Sequence, residues 1–232
     1  SVTGAPKSST TALIARLAEP KLNLAAYGVA FAFAIIVEAP VIMMMSAATA
    51  LAGAPTAYRR LRRFNYALIA LITLTMLFIL IPPVYRFIFE RLVGLPPEVL
   101  RLTRRSLWLL LPWPGAIGYR RFYQGILIRH GYTRRVAYGT MTRVAAMLVT
   151  GLALYQLTGT HGGLEGAWLG AAALSAGVCV EAIATRLLAR DALAALRRLP
   201  AEAAGEAPSY GKILDFYTPL ALTAWLTMAV QP

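Results

Sequence analysis

Residues 105 to 129, Arg-Ser-Leu-Trp-Leu-Leu-Leu-Pro-Trp-Pro-Gly-Ala-Ile-Gly-Tyr-Arg-Arg-Phe-Tyr-Gln-Gly-Ile-Leu-Ile-Arg, form an apolar run long enough to cross a bilayer, with Arg120 and Arg121 inside it. Taken as one transmembrane helix, Ser106 to Arg120 spans about 21 Å. Both guanidiniums then stand roughly two-thirds of the way across a hydrocarbon core of about 30 Å, where a charge facing lipid is costly. At about 100° per residue, Tyr123, Arg120, Gln124 and Arg121 share an arc of about 160°, with Phe122, Ile126 and Gly115 opposite. Pro112 and Pro114 are expected to kink the outer half, and Gly118 and Gly125 to let a neighbouring helix approach closely. The arginines either line a polar cavity open to an anion, inside a helix bundle, or snorkel to the cytoplasmic interface.

Hydrophobic residues make up 58% of the 232 and charged residues 14%, which is the composition of a polytopic membrane protein. The net charge of +13 raises nucleic acid as a partner. The basic residues cluster at the ends of apolar runs without a stacking motif, so membrane topology accounts for them and no nucleic-acid partner is expected. The lone Cys179 gives no disulfide framework and no thiolate metal site. His130 and His161 sit beside glycines and lack ligand spacing, so no metal and no cofactor is expected. Lys7 is followed by Ser-Ser-Thr-Thr, not by the apolar region of a signal peptide.

In chain order, residues 1 to 17 read as the outer half of a helix whose beginning is missing, and Leu24 to Leu51 as a second helix with Glu38 near its middle. The run Tyr58-Arg59-Arg60-Leu61-Arg62-Arg63 reads as a basic loop on the cytoplasmic side, before an apolar helix from Phe64 to Pro82. Residues 83 to 104 form an amphipathic connector on the opposite face. Further helices run from Val136 to Leu157 and from Leu164 to Leu188, the last with small residues (Gly166, Gly170, Ala171, Ser175, Gly177) suited to tight packing. The expected organisation is a transmembrane lobe over 1–188 with its first helix incomplete, a cytoplasmic linker over 189–211 that is helical from Asp191 to Leu199, and the start of a seventh helix over 212–232.

Several stretches resemble the multidrug and toxic compound extrusion (MATE) family and its wider multidrug/oligosaccharidyl-lipid/polysaccharide flippase superfamily, nearest the branch of the progressive ankylosis protein. They are Glu38-Ala39-Pro40-Val41-Ile42-Met43-Met44, Thr103-Arg104-Arg105, Pro112-Trp113-Pro114, Gly125 to Arg134, and Tyr217-Thr218-Pro219-Leu220-Ala221-Leu222-Thr223. The resemblance implies an all-α polytopic transmembrane helix bundle, one six-helix lobe of a two-lobe transporter with alternating access to a central cavity. Ser1 to Pro6 also resembles Thr227 to Pro232, as if one internal repeat were cut mid-helix at both ends. The expected partner is therefore a second lobe of the same chain, with a homodimer that rebuilds the cavity as the alternative.

Glu38 stands at mid-bilayer, and Pro40 frees the carbonyl of Ile36. It is a candidate for proton or cation coupling, or a structural carboxyl that stays protonated in the core. Lys7 falls at a similar depth and would pair with Glu38, unless residues 1 to 17 are a solvated tail. Glu181, one turn from Thr185, and Asp215, near a helix start, read as structural or interfacial. The substrate-binding candidates are Arg120, Arg121, Tyr123, Gln124 and Lys7. No phosphate loop, catalytic triad or HExxH pattern is present, so the chain is not expected to be an enzyme. The expected function is a secondary transporter exporting a small organic or lipid-linked anion, multi-pass in the bacterial cytoplasmic membrane. A non-transporting membrane subunit and a multidrug exporter for cations are the alternatives.

Overall fold

Pro55, Pro82, Pro97 and Pro112 each occupy the first residue of a helix. There the fixed φ suits the helical turn, and the missing N–H is one that would have no intrahelical partner anyway. The computed structural model describes residues 20–159, 166–199 and 208–230. These are α1 (Pro20–Ile42), α2 (Met44–Leu51), α3 (Pro55–Leu80), α4 (Pro82–Arg86) continued by a π-helical turn (Phe87–Leu92), α5 (Pro97–Leu109), α6 (Pro112–Arg129), α7 (Thr133–Gly159), α8 (Gly166–Leu188), α9 (Arg190–Arg198) and α10 (Tyr210–Val230). No strand occurs among the described residues.

Four helical stretches, Lys21–Leu51, Pro55–Leu80, Thr133–Leu157 and Ala167–Leu188, are long and apolar enough to cross a membrane. A backbone in lipid must satisfy its own hydrogen bonds, and a helix does so. The described residues are helical throughout their ordered elements, and four of the helical stretches suit a membrane protein.

Three boundaries differ from the sequence expectation. The stretch 105–129 is not one helix, because Leu110 and Leu111 form a turn between α5 and α6. Pro112 cannot donate to a preceding carbonyl, so the expected kink is a complete break, and Ser106 and Arg120 lie on different helices. The arginine run 58–63 is not a loop; it forms the opening turns of α3, as the good helix propensity of arginine allows. The stretch 24–51 is interrupted at Met43, three residues after Pro40.

The described residues group into two compact units: 20–35, 73–113, 142–159 and 166–180 in one, and 36–72, 114–141, 181–199 and 208–230 in the other. In the first, the Ala167 N–H donates to Asn23 Oδ1 at 3.1 Å, satisfying one of the orphan donors that every helix start leaves. Phe31 stacks on Trp113 with centroids 5.2 Å apart, and Thr103 donates to the Ala26 carbonyl at 3.4 Å. Gly177 lies against Met147 and the carbonyl of Arg143, so α7 and α8 run close together.

In the second unit, Met44, Leu61, Phe122, Ile126 and Leu127 are buried together with Leu193 and Leu196 of α9. Between membrane helices, close van der Waals packing substitutes for the hydrophobic effect. Gly125 illustrates this, because a Cβ there would run into the carbonyl of Met45 and the side chain of Ala48. Thr49 donates to the Gly125 carbonyl at 3.3 Å, tying α2 to α6. The end of α6 is closed by Gly131 at φ 77°, with the Tyr132 N–H on Leu127 O at 2.9 Å and the Gly131 N–H on Ile128 O at 3.0 Å, a Schellman motif.

Gly125→Ala is expected to destabilise the protein by about 1–3 kcal/mol through overpacking. Gly28→Ala, where nothing lies within 4 Å, should be neutral or slightly stabilising. Thermal unfolding of both variants in one detergent measures the difference.

Candidate functional site

Arg120 and Gln124 are one turn apart on α6, and both reach a single carboxylate on α8. Arg120 Nη1 lies 2.6 Å from Glu181 Oε2, and Gln124 Nε2 donates to Glu181 Oε1 at 3.4 Å. Arg120 is 5% exposed, Gln124 2% and Glu181 0%, so the pair is removed from solvent on both sides. Glu181 sits seven residues before the end of the span Ala167–Leu188, roughly 10 Å inside it at the helical rise.

The third wall is α7. A Cβ on Gly139 would stand 3.1 Å from Thr185 Oγ1 and 3.8 Å from Glu181 Oε1, so the absent side chain lets α7 close over this face of α8. Arg120 Nε, Gln124 Oε1 and Thr185 Oγ1 are buried without a hydrogen-bond partner. The site therefore keeps polar capacity that its own residues do not use.

Around the pair lies an aromatic layer. The Arg186 guanidinium stands 5.2 Å from the Tyr123 ring centroid, a cation–π arrangement. Tyr123 packs on Tyr119 at 4.8 Å and meets Phe122 edge-on at 5.2 Å. Phe122 in turn lies 5.7 Å from Tyr58 of α3, over which Arg62 sits at 5.4 Å.

The arc predicted from helical periodicity is thus divided. Arg120, Tyr123 and Gln124 engage α8, whereas Arg121 is directed to α2, with Nη1 3.7 Å from Met45 Sδ. Glu38 is buried, in the part of α1 that belongs to the same unit. Pro40 accepts a hydrogen bond at its carbonyl from the Tyr217 hydroxyl. Lys7, and with it the expected Glu38–Lys7 pair, lies outside the described residues.

Glu181, read from sequence as structural or interfacial, is the centre of the site. The available signal was a carboxylate inside an apolar span, which demands a cation partner. Gly139 and Arg186 were not singled out at all. Among the described residues, no three His, Cys, Asp or Glu side chains group as a metal site.

Comparison with known proteins finds no matching family model, no matching curated protein and no matching solved structure. Fold and site together define a class: a helical membrane protein with a buried ion pair between two of its helices.

Removing one member of a buried pair strands the other charge. Glu181→Leu or Arg120→Met alone is expected to destabilise by about 3–5 kcal/mol, whereas the double variant should recover most of that loss. A double-mutant cycle on unfolding in detergent measures the coupling, and additive losses would show that the two groups do not interact.

Proposed function

We propose that this chain belongs to an integral-membrane secondary transporter that moves a small organic or lipid-linked anion by alternating access. It is not an enzyme in this reading. Its helices form one six-helix lobe of a two-lobe, MATE-like bundle in the cytoplasmic membrane, and the second lobe is its partner. The observation that carries the proposal is the buried Arg120–Glu181 pair with Gln124 and the unused polar atoms beside it. Ionisable groups within membrane helices are costly and mark substrate and proton pathways.

The charge balance supports an anion. With Glu38 of α1, the buried or half-buried charged residues of α3, α6 and α8 are Arg62, Arg120, Arg121 and Arg186 against Glu38 and Glu181, four cations to two carboxylates. In this scheme a substrate carboxylate or phosphate competes with Glu181 for the Arg120 guanidinium, whose fork fits either anion. Tyr123 and Gln124 complete the binding surface, and Arg121, which the sequence placed with them, is directed to α2 instead. Glu38, buried beside Pro40, is the proposed coupling carboxyl.

One observation favours a second reading. Arg120 and Gln124 both direct donors to the same carboxylate of a neighbouring helix, which is what a structural helix–helix contact requires. A non-transporting membrane subunit is therefore the alternative.

Flux measured in proteoliposomes with a panel of anions and cations, with and without an imposed proton gradient, separates the two. Gradient-dependent anion flux is expected, lowered at least about tenfold by Glu38→Gln, in keeping with the weight of a positioned proton-transfer group, while the variant stays folded. No flux of any solute would leave the subunit. For orientation, cysteines placed at Arg59, Arg63 and Arg134 should be labelled only from the cytoplasmic side, and labelling from outside would reverse the topology.

A further inference from the structure

A cleft of about 430 Å³ opens between α4 and α5, within the first unit and apart from the ion pair. That volume lies in the range of small-ligand sites. Along α5, Arg101, Arg104, Arg105 and Trp108 recur at i, i+3, i+4 and i+7, which places them on one helical face, and all four line the cleft. The opposite face of α5 buries Val99, Leu102, Leu107 and the polar Thr103 and Ser106. Arg86, the last residue of α4, supplies a fourth guanidinium to the cleft.

The two walls are pinned together. The Tyr85 hydroxyl donates to the Leu100 carbonyl at 2.6 Å, and the Arg104 guanidinium lies 5.9 Å from the Tyr85 ring centroid. Burial pushes the Tyr85 phenol up, against the opposing pull of Arg104, so it remains a neutral donor on the α5 backbone. Arg104 gives Nη2 to the Leu80 carbonyl at a long 3.5 Å, and its Nε is buried without a hydrogen-bond partner.

Position narrows the ligand. α4 starts at Pro82, directly beyond the membrane-crossing stretch Pro55–Leu80, so the cleft stands at the edge of the bilayer. Trp108, 49% exposed at its rim, is a residue type that settles at headgroup level. Guanidinium forks match phosphate oxygens in geometry and charge.

We propose that Arg86, Arg101, Arg104 and Arg105 form a phosphate-binding site at the membrane edge, open to the headgroup of an anionic lipid or to a soluble phosphate compound. This does not depend on the transport reading, since none of its residues belongs to the ion-pair site.

The test is binding to the purified protein in neutral detergent, read by native mass spectrometry, with phosphatidylglycerol, phosphatidylcholine and inorganic phosphate as probes. Phosphatidylglycerol is expected to bind the protein well above phosphatidylcholine, and to weaken about five-fold for each arginine removed, from the attraction of about 1 kcal/mol per basic residue. Arg101→Gln and Arg105→Gln are the first variants, because both side chains are exposed. The pair Arg59→Gln and Arg63→Gln, exposed on α3 and outside the cleft, should leave lipid binding unchanged. Binding of the lipid without competition from millimolar phosphate assigns a headgroup, and competition by phosphate assigns a soluble ligand. Equal binding of the two lipids together with no binding of inorganic phosphate, a preference that survives Arg101→Gln and Arg105→Gln, or an equal loss in the α3 pair would each overturn the site.

Discussion

A guanidinium and a carboxylate removed from water must answer each other, and the Arg120–Glu181 pair imposes that condition on three helices at once. The desolvation of two such groups is repaid only when the geometry is close and the remaining donors and acceptors are engaged. The 2.6 Å contact meets the first requirement. Gln124 meets part of the second by taking the other carboxylate oxygen. Rotating α6 by a single residue would take Arg120 and Gln124 off the α8 face together, so the pair sets the azimuth of α6. Gly139 extends the constraint to α7, since any side chain there would press on Thr185.

The same physics orders the helix ends. The last carbonyls of a helix lack intrahelical donors and carry partial negative charge, and three arginines answer them. Arg129 donates to Thr49 O at 2.7 Å and Ala50 O at 3.0 Å at the end of α2. Arg135 donates to Leu188 O at 2.8 Å at the end of α8, and pairs with Asp191 at 2.6 Å. Arg104 makes the longer contact to Leu80 O at the end of α3. Arg62, Arg135 and Arg186 also stand over tyrosine rings.

The apolar runs made the helical, membrane-embedded character legible in the sequence, because backbone hydrogen bonding in lipid leaves few alternatives. The helix starts at Pro55, Pro82, Pro97 and Pro112 were not read as such, although proline suits the first turn of a helix. The 100° periodicity correctly put Arg120, Tyr123 and Gln124 on one side of α6. Helix continuity was less legible: the arginines of α3 continue a helix that charge alone marked as a loop, and α1 stops at Ile42 although no local residue after Pro40 demands it. What only the tertiary structure decided is which groups meet. Glu181 is 61 residues from Arg120, and Gly139 lies on yet another helix. No period within one helix relates them, because the pairing of buried charges is settled by how helices pack and not by how each one turns.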